Sequence, residues 1–168
     1  MNLVLARIDD RLVHGQVTVG WRNRLRPDHI VLANDDIADD PWQARIYAMS
    51  VPPEVEFLAL SVGAAARLLQ ENERSLLGDS RVLLLTESAL DMQRLVASGA
   101  PVLRVNVGGM HYARGKREML PEVYVDRSDL AALRALRERG VELWVQVVPG
   151  GHEAYLDAPH LRAMEEHL

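Results

Sequence analysis

The sequence contains no cysteine, and this absence removes two kinds of site. A chain without thiols forms no disulfide bonds and offers no thiolate ligands to zinc or to iron–sulfur clusters. Such a composition fits a protein of the reducing cytoplasm, which is where we expect this chain to work. Metal sites built from oxygen and imidazole ligands remain open.

Aromatic residues, basic blocks and long apolar runs are also scarce. The chain has one Phe, and 19 Lys and Arg stand against 24 Asp and Glu, for a formal net charge of -5. A nucleic-acid groove needs positive charge and stacking aromatics, so we expect no nucleic-acid partner. The apolar stretches are far shorter than a membrane span, and a strand pattern begins almost directly after Met1. We therefore expect neither a transmembrane segment nor a signal peptide.

Apolar runs of strand length alternate along the chain with segments of helical periodicity. Strand patterns occur at residues 2–8, 29–33, 55–60, 81–86, 102–107, 122–125 and 141–148. Helical patterns occur at residues 15–25, 41–50, 62–72, 89–97, 128–140 and 159–167. This alternation predicts an α/β fold with an open, mostly parallel sheet of about six to seven strands and helices on both faces. The length of 168 residues fits a single domain, 1–168.

The stretch from the end of the first strand to the first helix contains most of the candidate chemistry. It includes two arginines and a histidine, Arg7, Arg11 and His14. In a parallel sheet with right-handed crossovers, the loops that follow the strands lie at one edge, where ligands of α/β proteins usually bind. The loops expected to share a cleft at that edge are 9–14, 34–40, 86–88 and 108–117.

His14 admits two interpretations. A lone histidine at the start of a helix usually caps the helix or packs against it. Here Arg7 and Arg11 lie within seven residues of it, and Gly15 follows where the backbone turns into a helix. Guanidinium groups and the free N–H groups of a helix start both favour phosphate, and histidine can accept a phosphoryl group covalently. We therefore hypothesise that this loop carries a phosphoryl group on His14.

Two aspartates, Asp9 and Asp10, lie in the same loop. Aspartate commonly ties loop backbone together, and it can also orient an arginine or an imidazole. Spacing alone leaves open which of the two would do so. We interpret Asp10 as structural.

Paired glycines, Gly108 and Gly109, follow a strand and invite comparison with a phosphate-binding loop. Five residues separate Gly109 from Gly115 where a Walker A loop has four, and Arg117 stands where Ser or Thr would ligate magnesium. We therefore exclude nucleotide binding of that kind. The glycines still indicate backbone that approaches something closely, either in a tight turn beside the cleft or in direct contact with a ligand.

Two other clusters invite a metal-binding interpretation. The acidic segment 34–40 lacks the glycine and the terminal glutamate of an EF-hand loop, so we interpret it as a capped, solvated loop. The histidines of the C-terminal segment have no accompanying carboxylate motif and are interpreted as surface residues. The sequence therefore predicts no metal site.

The residues Arg-Ile-Asp-Asp-Arg-Leu-Val-His-Gly-Gln-Val at 7–17, followed by Trp21, resemble a known active-site signature. It is that of the enzyme IIB component of mannose/fructose/sorbose-type bacterial phosphoenolpyruvate-dependent sugar phosphotransferase systems. Segments 31–36 and 105–110 resemble the second strand and the glycine loop of the same family. The resemblance covers the chain to about Pro149, and the tail 150–168 departs from the usual short ending.

The resemblance implies that His14 is phosphorylated by a IIA phosphohistidine and passes the phosphoryl group to a sugar held by the membrane subunits IIC and IID. Arg7 and Arg11 would bind the phosphoryl oxygens. The helix-start backbone of Gly15 and Gln16 would support the same group, together with Asp9 and the loop at 108–109. Family members resemble one another in using no metal or nucleotide cofactor. They are commonly dimeric, so we expect a homodimer at the inner face of the membrane, bound through IIC and IID.

Two rival functions remain to be weighed. A regulatory binding module could use phosphorylated His14 as a signal without sugar transfer, and the absence of IIC and IID partners would favour it. A magnesium-dependent phosphatase or kinase of similar topology would need a metal-ligand motif, which the sequence lacks. The leading prediction is therefore a phosphocarrier, and the membrane subunits would select the sugar.

Overall fold

A seven-stranded sheet forms the centre of the protein in the computed structural model, which describes residues 1–15, 20–71 and 77–168. The strands are β1 (Asn2–Ile8), β2 (His29–Ala33), β3 (Glu56–Leu60), β4 (Arg81–Thr86), β5 (Arg104–Val107), β6 (Arg117–Leu120), β7 (Val123–Val125), β8 (Glu142–Val145) and β9 (Ala154–Tyr155). The helices are α1 (Arg22–Leu25), α2 (Asp35–Asp39), α3 (Pro41–Met49), α4 (Val62–Gln70), α5 (Ala89–Ala97), α6 (Arg127–Glu138) and α7 (Ala158–Glu166).

The strand order of the sheet is β3-β2-β4-β1-β5-β8-β9, and β6 and β7 form a separate antiparallel hairpin. All neighbours in the sheet are parallel except β9, which runs antiparallel to β8. The predicted open, mostly parallel sheet is thereby confirmed. Because β1 lies between β4 and β5, the loop that follows β1 occupies the middle of the edge formed by the carboxyl ends of the strands.

Helices cover both faces of the sheet, as predicted. Successive residues of β2 point to opposite faces: Ile30 and Leu32 pack in one apolar cluster with Trp21 and Trp144, while Val31 packs in the other. The second cluster includes buried side chains of α4, α5, α6 and α7. Apolar runs buried on both sides are characteristic of central parallel strands, which explains why β1, β2 and β4 have the predicted bounds.

Helix caps fix several predicted boundaries. The Asp40 side chain accepts hydrogen bonds from two backbone N–H groups at the start of α3, and the Ser61 and Ser88 side chains cap α4 and α5. The prediction of a loop at 34–40 is wrong in part, because this segment contains the short helix α2. The buried side chain of Asn34 caps α2 by accepting a hydrogen bond from the backbone N–H of Ile37.

Two strands differ from the sequence prediction. Strand β6 was not predicted, whereas β7 confirms the short strand predicted at 122–125, and β9 was not predicted. Part of the helix predicted at 15–25 falls on residues 16–19, outside the described residues, while its predicted end at Leu25 is confirmed by α1. Within the three described ranges, none of the helices has the length and apolar content to cross a membrane.

Candidate functional site

The loop after β1 is a tight turn held to its neighbours by backbone hydrogen bonds. The N–H of Asp9 donates to the carbonyl of Thr86 over 3.0 Å, and the N–H of Leu12 donates to the carbonyl of Asp9 over 2.9 Å. Leu12 adopts a left-handed φ of 55°, which is uncommon for leucine, and its side chain is buried. This turn allows Leu12 to pack inward while the side chain of His14, which follows shortly, stays 20% exposed.

Arg7 is fully buried beneath this loop and is paired with a fully buried Asp9. Its Nε and Nη2 both donate to one oxygen, Oδ2 of Asp9, over 3.1 and 2.6 Å, and these hydrogen bonds are strengthened by the opposite charges of the two groups. Nη1 donates to the side chain of Asn106 and over 3.0 Å to the carbonyl of Gln146, and Nη2 also donates over 2.9 Å to the carbonyl of Val147. The five N–H donors of the guanidinium therefore all have acceptors within the protein.

Asp9 connects this buried arginine with the surface. Its second oxygen, Oδ1, accepts from the backbone N–H of Arg11 over 3.1 Å and lies 3.3 Å from Nε2 of His14. Burial raises the pKa of the Asp9 carboxyl, but the charges of Arg7 and His14 and the hydrogen bonds outweigh it, and the net pKa lies below its ordinary value. Asp9 is therefore ionised at neutral pH.

An ionised Asp9 determines the chemical state of His14. A carboxylate accepts hydrogen bonds only, so the contact with Nε2 places a proton on that nitrogen. In neutral imidazole the lone pair is then on Nδ1. The same carboxylate stabilises positive charge on the ring when Nδ1 forms a bond.

Arg11 lies at the rim of the site. Its side chain is 34% exposed, its Nε is 3.8 Å from Oδ1 of Asp9, and its Nη2 donates to Glu122 over 3.2 Å. One oxygen of Asp9 thus has both the Arg11 guanidinium and the His14 imidazole beside it. A group bonded to His14 would enter the field of the Arg11 charge.

The paired glycines provide space for the two arginine side chains. A methyl group at Gly108 would lie 2.2 Å from Cζ of Arg7, and one at Gly109 would lie 2.8 Å from Nη2 of Arg11 and 2.9 Å from Cε1 of His111. The close approach expected from the sequence is therefore an approach to arginine and histidine side chains. That both glycines also support a phosphoryl group stays a prediction.

Replacing Gly108 with alanine should destabilise the fold by about 3 kcal/mol, because the new methyl group overlaps a buried guanidinium whose donors are all bonded. The free energy of unfolding in urea measures this loss. Gly15→Ala is the matched control, since a methyl group at Gly15 meets nothing within 4 Å. Equal stability of the two variants would contradict the packing argument.

The other predicted site residues are distributed as follows. Gly15 directly follows His14 and has open space around it, whereas Gln16 lies outside the described residues. Asp10 accepts a 2.5 Å hydrogen bond from the backbone N–H of His111, and its carboxylate also contacts the ring of His111, in keeping with a structural interpretation. Loops 9–14 and 108–117 meet here. Asn34 donates over 2.6 Å to Glu87, which joins the two remaining loops of the expected cleft at the same edge of the sheet.

Three residues of the site were not identified from the sequence: Asn106, His111 and Glu122. Trp21 was noted as part of the signature, but no role in the site was assigned to it. The ring of Trp21 packs against the guanidinium of Arg7, with Cζ 5.4 Å from the ring centroid. Asn106 is a polar residue within an apolar strand, a pattern that could have marked it as a partner of a buried charge. Nothing in the sequence near Glu122 points to Arg11.

Comparisons with known proteins show the family to which the chain belongs. The family model described as "PTS system sorbose subfamily IIB component" matches residues 3–165. The N-acetylgalactosamine-specific phosphotransferase enzyme IIB component 2 of Escherichia coli is 38% identical over 148 residues, which are 88% of this chain and 92% of the relative. The fructose-specific EIIB component of Bacillus subtilis is 34% identical over 149 residues, covering 89% and 90% of the two chains. The crystal structure of the IIB domain of the Klebsiella pneumoniae sorbose permease superposes with a TM-score of 0.87 at 29% identity, covering 100% of this chain and 99% of that one.

The fold and these matches define a sugar-specific IIB component of the phosphoenolpyruvate-dependent phosphotransferase system. The chain belongs to the sorbose subfamily of these components, within the mannose/fructose/sorbose type. As a IIB component it is a phosphotransferase, which accepts a phosphoryl group from a IIA protein and transfers it to a sugar, with IIC and IID as further partners. The family match continues past Pro149 and includes most of the tail that the sequence resemblance left out.

Proposed function

We propose that His14 is the phosphoryl carrier of this IIB component and that its Nδ1 forms the bond to phosphorus. The observation that supports this most directly is the contact between Nε2 of His14 and Oδ1 of the buried, ionised Asp9. It leaves the Nδ1 lone pair to attack the phosphorus of the IIA phosphohistidine. The bond from phosphorus to the IIA histidine breaks as the new bond forms.

Asp9 then supports the phosphorylated state. Phosphorylation of Nδ1 while Nε2 keeps its proton gives the ring positive charge, and the carboxylate 3.3 Å away stabilises that charge. In the second transfer, a sugar hydroxyl oxygen attacks the phosphorus, the bond to Nδ1 breaks, and the proton of the hydroxyl is released to solvent, which restores the neutral ring. The histidine is thus a temporary covalent holder.

The two arginines have different parts in this proposal. Arg11, at the rim, binds the phosphoryl oxygens, because its partly exposed guanidinium lies near the same Asp9 oxygen that contacts the imidazole. Arg7 was also predicted to bind these oxygens, and that role stays a prediction. Since its donors are all engaged, we propose that Arg7 acts by fixing Asp9, which in turn orients His14. The backbone of Gly15 and Gln16 would contribute N–H donors to the phosphoryl group.

The remaining expectations concern assembly. We propose that residues 1–168 act as one phosphocarrier domain in the cytoplasm and reach the membrane surface through IIC and IID. We also propose a homodimer, since α3 exposes a stripe of apolar side chains, Trp42, Ile46 and Met49. Sedimentation equilibrium measures the mass in solution, and a monomer at every concentration would contradict the dimer. Relatives differ in their named sugars, so no single sugar is proposed.

The test of the carrier role is to phosphorylate the protein with phosphoenolpyruvate, the general phosphotransferase proteins and the cognate IIA protein. ³¹P and ¹⁵N NMR of the product then identify the phosphorylated nitrogen. We expect a single phosphohistidine with phosphorus on Nδ1 of His14. A phosphoryl group on Nε2, or on another residue, would contradict the assignment of Asp9 as the group that sets the tautomer.

A further inference from the structure

Glu122 occupies the turn between β6 and β7 in a strained backbone conformation. Leu120 pairs with Val123, so Pro121 and Glu122 form a two-residue turn. Glu122 has a φ of 61°, a left-handed value that this position of a turn reserves mainly for glycine or asparagine. A strained residue that persists in a turn is a reason to look for a role of its side chain.

The side chain of Glu122 is directed to the candidate site. Its Oε2 accepts from Nη2 of Arg11 over 3.2 Å, although the two residues are 111 positions apart in the sequence. The connection of the hairpin to the glycine loop is made by backbone atoms, because the carbonyl of Glu122 accepts from the N–H of Met110 over 3.0 Å. The carboxylate therefore contributes a charge at Arg11 that the turn itself does not require.

We propose that Glu122 is a positioning residue that competes with the phosphoryl group for Arg11. This inference rests on the proposed role of His14. Before phosphorylation, the carboxylate of Glu122 occupies part of the Arg11 guanidinium. After phosphorylation, the phosphoryl oxygens take over this contact and the carboxylate returns to solvent.

Competition of this kind sets the equilibrium of the carrier. If Arg11 had no carboxylate at Nη2, the phosphoryl group would gain the full attraction of the guanidinium and would be held more tightly. With Glu122 present, the phosphoryl group must displace the carboxylate from the guanidinium. The net gain in attraction is smaller, because an existing ion pair is lost. The exchange keeps the phosphoryl group of His14 easier to pass on to the sugar.

The experiment compares the wild type with Glu122→Gln at equilibrium with phosphorylated cognate IIA protein. The fraction of phosphorylated chain is measured by ³¹P NMR or by native mass spectrometry. Because the pair is half exposed and of modest strength, we expect the equilibrium to shift about two- to five-fold toward phosphorylated His14 in the variant. Glutamine bears the same backbone strain as glutamate, and Glu122→Asn, which tolerates the left-handed turn better, should give the same shift.

The matched control is Glu142→Gln, which removes a carboxylate from an ion pair with Arg104 at the other edge of the sheet. It should leave the equilibrium unchanged. An unshifted equilibrium in Glu122→Gln would overturn the proposal for Glu122 while leaving that for His14 intact. Failure of the wild type to become phosphorylated on His14 would overturn both.

A double-mutant cycle separates competition from simple repulsion. If Glu122 acts through Arg11, Glu122→Gln should have no effect on the equilibrium in an Arg11→Ala background. If the carboxylate only repels the phosphoryl group, or supports the fold, the same shift persists without Arg11. Persistence of the shift would overturn the proposed competition.

Discussion

Replacing His14 with alanine should abolish phosphorylation of this chain by its IIA partner. The variant lacks the imidazole that we propose as the acceptor of the phosphoryl group. We expect labelling from radioactive phosphoenolpyruvate to fall below about one thousandth of the wild-type rate, since the loss removes the covalent nucleophile itself. Because His14 is partly exposed, the variant should keep its fold, which circular dichroism verifies.

A matched control for this substitution is His160→Ala. His160 lies on α7 with its side chain 61% exposed and pairs only with Asp157 among the contacts of its ring nitrogens, so its removal should leave labelling at the wild-type rate. Full labelling of His14→Ala would contradict the carrier assignment. Labelling that moves to His111, the other histidine of the same edge, would identify that residue as the acceptor instead.

The central strands are the part of the fold that the sequence predicts well. In β2 and β4, runs of consecutive apolar residues are bounded by polar ones. Caps such as Asp40 and Ser61 are equally local, since their side chains bond to backbone two or three residues away. Local patterns of this kind can be read without knowing what packs against them.

The elements that were not predicted depend on partners far along the chain. The β6 segment alternates poorly and becomes a strand only because Val123–Val125 folds back on it across a turn with an unfavourable residue, Glu122. The two-residue strand β9 exists because it pairs with Trp144 and its neighbour in β8. Neither pairing leaves a periodic signal in the sequence.

The site shows the same division. The sequence places Arg7 at the end of β1 and Asp9, Arg11 and His14 in the loop that follows, and the structure confirms that these residues lie together. What spacing could not provide was the burial of Arg7, because its acceptors Asn106 and Gln146 are 99 and 139 residues away in sequence. Two arginines that look alike in the signature therefore differ in their surroundings, one enclosed and one at the rim.

Replacing Arg7 with methionine should lower the free energy of unfolding at pH 7 by about 3–5 kcal/mol. The substitution keeps an unbranched side chain of similar length but leaves the carboxylate of Asp9 buried without its positively charged partner, and an uncompensated buried charge carries a cost of that size. Urea unfolding followed by circular dichroism measures the loss. Phosphorylation of His14 should fall as well, because Asp9 no longer holds the imidazole in one orientation.

The pH dependence of this loss distinguishes a buried charge from lost packing. In the wild type the pKa of Asp9 is lowered, so its contribution to stability is present above about pH 4 and is lost as the pH falls through the lowered pKa. Without Arg7, burial prevails and the pKa rises above its ordinary value. The folded variant then gains a proton more readily than the unfolded chain, so its deficit should shrink as the pH is lowered from 7 toward about 4.

Asp9→Asn in the Arg7→Met background is the control for this interpretation. It removes the buried charge while keeping the size of the side chain, so it should recover part of the lost stability at pH 7 and abolish the pH dependence of the deficit. A deficit that is the same at pH 7 and pH 4.5, and that Asp9→Asn leaves unchanged, would mean that Arg7 contributes through packing against Trp21 instead of through Asp9. In that case the proposal that the buried ion pair of Arg7 and Asp9 orients His14 would have to be abandoned.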